Sequence, residues 1–156
     1  MKLTKTQILD FLKQHQLMTI ATQGPEHPWI ASVYYSFDND LNLYFLSNPK
    51  TLHCTHIHHN HQVAVSIADS HQKASDLKKG LQIYGHAKQI TQAKLIQHAI
   101  RHWKQALNFK DPHLTYENMI NKTISGRMYI VTPQKIKFFN QELFDVADGE
   151  EPVLEL

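Results

Sequence analysis

The chain has 156 residues, of which 42% are hydrophobic and 19% charged, a composition that fits one folded domain with one core and excludes a disordered or fibrous chain. Its formal net charge is only +2 with the histidines neutral, and its basic residues are scattered, so neither a nucleic acid nor a membrane is expected as partner. No apolar run approaches the ~20 residues of a membrane span, MKLTKTQILDFLKQH lacks a signal peptide's apolar stretch, and Cys54 is the sole cysteine. A cytoplasmic protein without internal disulfides is expected.

Thr4 and Gln7 have the spacing of a capping box, and Ile8, Leu9, Phe11 and Leu12 recur at helical spacing, so a short amphipathic helix is predicted over 5–15. Leu17 to Thr22 is a β-rich run that ends at the turn Gly24-Pro25-Glu26-His27-Pro28. Residues 29–37 and 41–47 are rich in aromatic and β-branched types on either side of Asp38-Asn39-Asp40, which predicts a hairpin. Pro49 suits the first turn of a helix with Asn48 as its cap, giving a helix over 49–59. Val63 to Ala68 is an apolar strand, Asp69 to Lys79 a polar loop, and Leu81 to Ile90 a strand in which Gly85 marks a bulge or a close backbone approach. Helical spacing returns at Ala93, Ile96, Ile100, Trp103 and Leu107, and more weakly over 115–122. Met128 to Thr132 and Ile136 to Phe139 are predicted as two strands around Pro133.

Many short strands with tight turns and few helices favour a mainly β chain with flanking helices (α+β), folded as a split or closed antiparallel β-barrel. No repeat or linker divides the chain. One domain over 1–156 is expected: a helical segment 1–16, a barrel over 17–140 with helical insertions, and a loose acidic tail over 141–156.

The segments TIAT (19–22), PWIASVYYSFDNDLNLYFLS (28–47), KTLH (50–53), QVAVSI (62–67), KGLQIYGHAKQI (79–90) and TPQKIKFF (132–139) carry a resemblance. In order and spacing they are similar to the pyridoxamine 5'-phosphate oxidase-like split barrels that bind flavin mononucleotide (FMN), nearest to a branch of short bacterial members. The resemblance implies an FMN-binding oxidoreductase of unnamed substrate, and a homodimer with the cofactor at the subunit interface. It places the flavin ring along Ser32, Val33, Tyr34, Tyr35, Ser36, Leu46 and Ser47. Barrel packing is the plainer reading of Tyr34 and Tyr35 taken alone. It places the phosphate at the following helix start, where free N–H groups and the helix dipole suit an anion and Ser47, Lys50, Thr51 and His53 add hydroxyls and charge. The family's two adjacent basic residues correspond here to Leu52 and His53. Lys79 and Gln82 are implied to approach the ring and phosphate, and Phe139 to complete the site from the partner subunit. Vitamin-B6 oxidase activity is not implied, because the family's closing arginine motif is replaced by FDVADGEEPVLEL, with no arginine after Arg127.

Other chemistries compete with this reading. The histidines at 53, 56, 58, 59 and 61 lack the paired spacings of a zinc site, so no metal is expected and a polar, solvated helix face is the simpler reading. Haem is the alternative cofactor, since some split-barrel relatives bind it, with His53, His86 or His113 as axial ligand. A third reading is a dimeric binding module with weak or no flavin affinity. Cys54 has histidines nearby but no motif of a nucleophilic enzyme, and Rossmann and P-loop signatures are absent.

Overall fold

The computed structural model describes residues 2–156. Its first helix, α1 (Lys5–Leu12), begins with the capping box: Gln7 N–H donates to Thr4 Oγ1 at 3.3 Å, and Thr4 N–H to Gln7 Oε1 at 2.9 Å. The helix buries Ile8, Phe11 and Leu12 and stops three residues earlier than periodicity predicts, because the chain must become extended at Leu17.

Six strands then form the barrel: β1 (Leu17–Gln23), β2 (Pro28–Phe37), β3 (Leu43–Ser47), β4 (Gln62–Ala68), β5 (Lys79–Gln89) and β6 (Arg127–Asn140). All pairings are antiparallel, in the order β3-β2-β1-β4-β5-β6, and pairing of β3 with β6 closes the ring. Strand alternation fills the interior with Met18, Ile20, Val33, Tyr35, Phe45, Val65, Ile83 and Phe138, among others. A second apolar layer lies outside the barrel. Helices α3 (Ala93–Ala106) and α4 (Tyr116–Ile120) cover Tyr44, Met128 and Ile130 there with Ile96, Ile100, Trp103 and Met119. Among the described residues no helix is long and apolar enough to cross a membrane.

The structure departs from the sequence reading at four further places. The hairpin's second strand starts at Leu43 rather than Leu41, because Asp38 holds the turn: its Oδ1 accepts from the N–H groups of Asp40 and Asn42. Helix α2 spans Leu52–His59 rather than 49–59. Asn48 caps a turn instead of a helix, accepting Lys50 N–H on Oδ1 at 2.9 Å and Thr51 N–H on its carbonyl at 3.0 Å. The two strands expected around Pro133 are one continuous β6. Proline lacks the N–H that a regular ladder needs, and the register of β5 and β6 shifts between Tyr84 and Gly85, where Pro133 pairs with Gly85. Finally, the acidic tail is not loose to its end. Strand β7 (Val153–Glu155) pairs with β6 from Lys135 to Lys137, and Lys137 meets Glu151 at 3.0 Å.

Gly85 is required at that bulge by contact. A Cβ there would lie 2.5 Å from the backbone oxygen of Thr132 and 3.0 Å from Pro133 Cα, atoms that cannot yield without moving β6. Gly85→Ala is therefore expected to cost about 1–3 kcal/mol by overpacking, read as a lowered urea midpoint.

Candidate functional site

The site begins where β3 ends and α2 starts. Ser47 Oγ lies 2.8 Å from His53 Nε2 and 3.4 Å from Thr51 Oγ1, and Thr51 Oγ1 lies 3.3 Å from His53 Nε2. Thr51 occupies the N-cap position of α2 but makes no side-chain cap, since its hydroxyl donates back to the Asn48 carbonyl at 2.8 Å. The first-turn N–H groups of α2 thus have no side-chain acceptor, and no acidic residue stands in that turn. Two hydroxyls, an imidazole and open helix-start N–H groups converge with no carboxylate among them. Lys50, exposed in the preceding turn, adds a positive charge.

Beneath this group sits Cys54, 1% exposed. Burial pushes its thiol up, but hydrogen bonding with His53, Thr51, Tyr129 and Ser47 outweighs burial and leaves it below the ordinary thiol range. Burial, and then the neighbouring thiol, push the Tyr129 phenol up. The expected polar helix face is corrected here, because His53 and His56 are buried. His56 Nδ1 lies 3.0 Å from Thr22 Oγ1, and its ring covers Gly24 so closely that a Cβ there would meet Nε2. Of the histidines on α2, only His58 and His59 are exposed. Among the described residues no group of three metal-ligating side chains is assembled. His53, His86 and His113 stand on three separate elements: α2, β5 and the loop before α4.

On β2 the two sides of the strand divide the expected ring contacts. Val33 and Tyr35 point into the barrel, where the Tyr35 hydroxyl donates to the Leu12 carbonyl at 3.0 Å, so only their backbone is available to a ligand. Ser32 and Tyr34 point outward, Tyr34 at 59% exposure. Ser36 also points outward but is buried under the α3 layer at 1% exposure, and its Oγ has no partner. Leu46 packs partly into that same layer.

Lys79, Gln82 and Phe139 are not brought to Ser47 within one chain. Lys79 pairs with Asn140 at one end of β5, while Gln89, whose partner Tyr129 also pairs with Phe45, is at the other. At ~3.3 Å per residue, those ends of β5 are roughly 33 Å apart. Lys79 forms an ion pair with Glu142 at 2.5 Å, and Phe139 lies across Gly80, where a Cβ would strike its ring. Gln82 and Phe139 share a separate hollow of about 250 Å³.

Sequence reasoning missed what connects these parts. Strand register places Ser32, Thr19, Ser66, Gln82 and Lys137 side by side across β2, β1, β4, β5 and β6 on the outer face. An apolar row, Ile30, Ala21, Ala64 and Tyr84, runs beside it, with Tyr34 and Leu17 on the other flank. Ile30, Tyr34, Leu17 and Tyr84 are 65%, 59%, 45% and 39% exposed. Among the described residues no helix covers this face, and a shallow hollow of about 560 Å³ lies on it. Alternation within each strand was legible, but only cross-strand register reveals that five strands contribute to one surface.

The closed six-stranded antiparallel barrel with flanking helices is a split-barrel fold. The family model described as pyridoxamine 5'-phosphate oxidase matches residues 4–132, and the chain belongs to that family. Among solved structures, a conserved hypothetical protein of Mycobacterium tuberculosis is similar at a TM-score of 0.71 and 14% identity, covering 94% of this chain and 92% of that one. A NimC/NimA family protein of Clostridium acetobutylicum is similar at 0.66 and 15% identity, covering 97% and 92%. An FAD-binding protein of Mesorhizobium loti is similar at 0.65 and 13% identity, covering 86% and 90%. No curated protein matches the chain.

Proposed function

We propose that the protein is an FMN-binding oxidoreductase that works as a homodimer, with the flavin phosphate held at the start of α2. The observation that carries this reading is the donor set there. Ser47, His53 and the uncapped helix start offer hydrogen bonds and favourable dipole to an anion, with Thr51 beside them and no carboxylate to repel it. The residues fit a phosphate even though Leu52 supplies no charge. The outward Ser32 and Tyr34 lie on the adjacent uncovered face, where the ring would run along β2.

The bound flavin supplies hydride or electron transfer, and the protein's part is to hold, orient and shield it. The cradle is shallow in one chain. A second copy placed on the open face of β1, β2, β4 and β5 would wall it in and bring its own Gln82, Lys79 and Phe139 toward the first copy's ring. The NimC/NimA and FAD-binding neighbours agree in fold with such a reading.

The test is titration of purified protein with FMN, followed by the flavin absorption bands and fluorescence. A flavin complex supports the reading. A sample that ignores FMN contradicts it, as does one that yields a Soret band with haem. Lys50→Ala is expected to weaken FMN binding about threefold, the size of one exposed charge contact, and to leave riboflavin binding unchanged.

A further inference from the structure

The start of α2 is organised around one imidazole. His53 is 8% exposed, and its Nε2 is shared between the Ser47 and Thr51 hydroxyls. The Thr51 proton is donated to the Asn48 carbonyl, so the ring decides only where the Ser47 proton points. In the neutral tautomer with a lone pair on Nε2, Ser47 donates its proton inward to the imidazole, and that proton is lost to any ligand. A protonated ring carries hydrogen on both nitrogens. Nε2–H then donates to Ser47 Oγ at 2.8 Å, and the Ser47 proton is free to turn outward.

Protonating His53 adds a positive charge whichever nitrogen carries the neutral ring's proton, and where that proton is on Nδ1 it also converts Ser47 from an internal donor into a donor for an anion. We propose that phosphate capture at this site is proton-linked through His53, so that the protein holds a phosphomonoester more tightly in mildly acidic than in mildly alkaline solution. This rests on the flavin reading above and adds a regulator to it. Imidazole is the side chain whose charge changes between about pH 5 and 8, and the sign is fixed. The anion favours the charged ring, so affinity falls as pH rises through the imidazole range.

The other groups around His53 are few. From α2 come Thr51 and Cys54, from β3 Ser47 and the Phe45 ring at 6.4 Å, and from β6 Tyr129, which reaches the cluster through Cys54. Arg127, paired with Ser47 in register, turns its guanidinium away to the carbonyls of Ile124 and Gly126. Cys54 alone can imitate the effect, because a thiolate formed at higher pH would also repel the anion.

Equilibrium titration of FMN and riboflavin between about pH 6.5 and 8.5, above most of the phosphate's own second ionisation, separates these cases. For the wild type, FMN affinity is expected to fall about tenfold across that range, the effect of losing one charge-assisted contact, while riboflavin affinity stays level. His53→Lys should bind FMN without the pH dependence, with circular dichroism confirming its fold, and Cys54→Ala should keep it. An equal fall for riboflavin, a dependence retained in His53→Lys, or one lost in Cys54→Ala overturns the proposal and leaves the flavin site standing. FMN left unbound by the wild type at every pH removes the flavin reading itself.

Discussion

An Ile30→Glu, Tyr84→Glu double variant is expected to sediment as a monomer and to bind FMN about a hundredfold more weakly than the wild type. Both side chains lie on the uncovered outer face, one on β2 and one on β5, in a row joined by Ala21 and Ala64. Contiguous exposed apolar surface of this kind marks a contact face on a soluble protein, and a two-fold contact brings the same patch of each subunit together. Four glutamates buried at one such interface cost several kcal/mol through like-charge repulsion and desolvation. In a monomer the same exposed positions would tolerate charge at under about 0.5 kcal/mol each. Sedimentation velocity at micromolar concentration reads the first outcome and flavin fluorescence the second. A variant that stays dimeric would place the interface elsewhere.

Phe45→Ala is expected to lower stability by about 3–5 kcal/mol, the usual cost of emptying a buried aromatic position. Phe45 is fully buried on β3 and stacks on Tyr129 of β6, with ring centroids 5.1 Å apart and planes at 16°. That pair sits on the seam where β3 and β6 close the barrel. Tyr129 also reaches Cys54 under the phosphate-binding group, so loss of the ring should loosen the site before the chain unfolds. Urea denaturation should show a lower midpoint with an unchanged slope, and FMN should raise the variant's midpoint less than the wild type's.

Much of this fold was legible in the sequence, for a stated reason. The strands alternate cleanly, as in Gln62–Ala68, where Val63, Val65 and Ile67 point in and their neighbours point out, and a period of two is a local property. The capping box at Thr4 was likewise readable because its partners are three residues apart. What failed was decided by the third dimension. Pro133 reads as a strand breaker until Gly85 is seen facing it across a bulge, and the tail reads as loose until Val153–Glu155 is seen against β6. The start of α2 was misplaced because Asn48 can cap a turn or a helix, and only the geometry distinguishes the two.

The candidate site was legible in part. Ser47, Thr51 and His53 come together as expected, whereas Lys79, Gln82 and Phe139 lie at the far end of β5 and β6. Val33 and Tyr35 lie on the expected strand β2, but their side chains serve the core. The burial of His53 and His56 could not be read from a run of histidines whose helical amphipathicity is weak. The row from Ser32 to Lys137 was invisible because it is assembled one residue per strand.

The most direct measurement is a crystal structure of the protein grown with FMN. The phosphate should lie within hydrogen-bonding distance of Ser47 Oγ, Thr51 Oγ1 and the first N–H groups of α2, with the ring along β2 and a second subunit's β5 closing over it. A flavin found elsewhere, or a phosphate turned away from α2, would contradict the account.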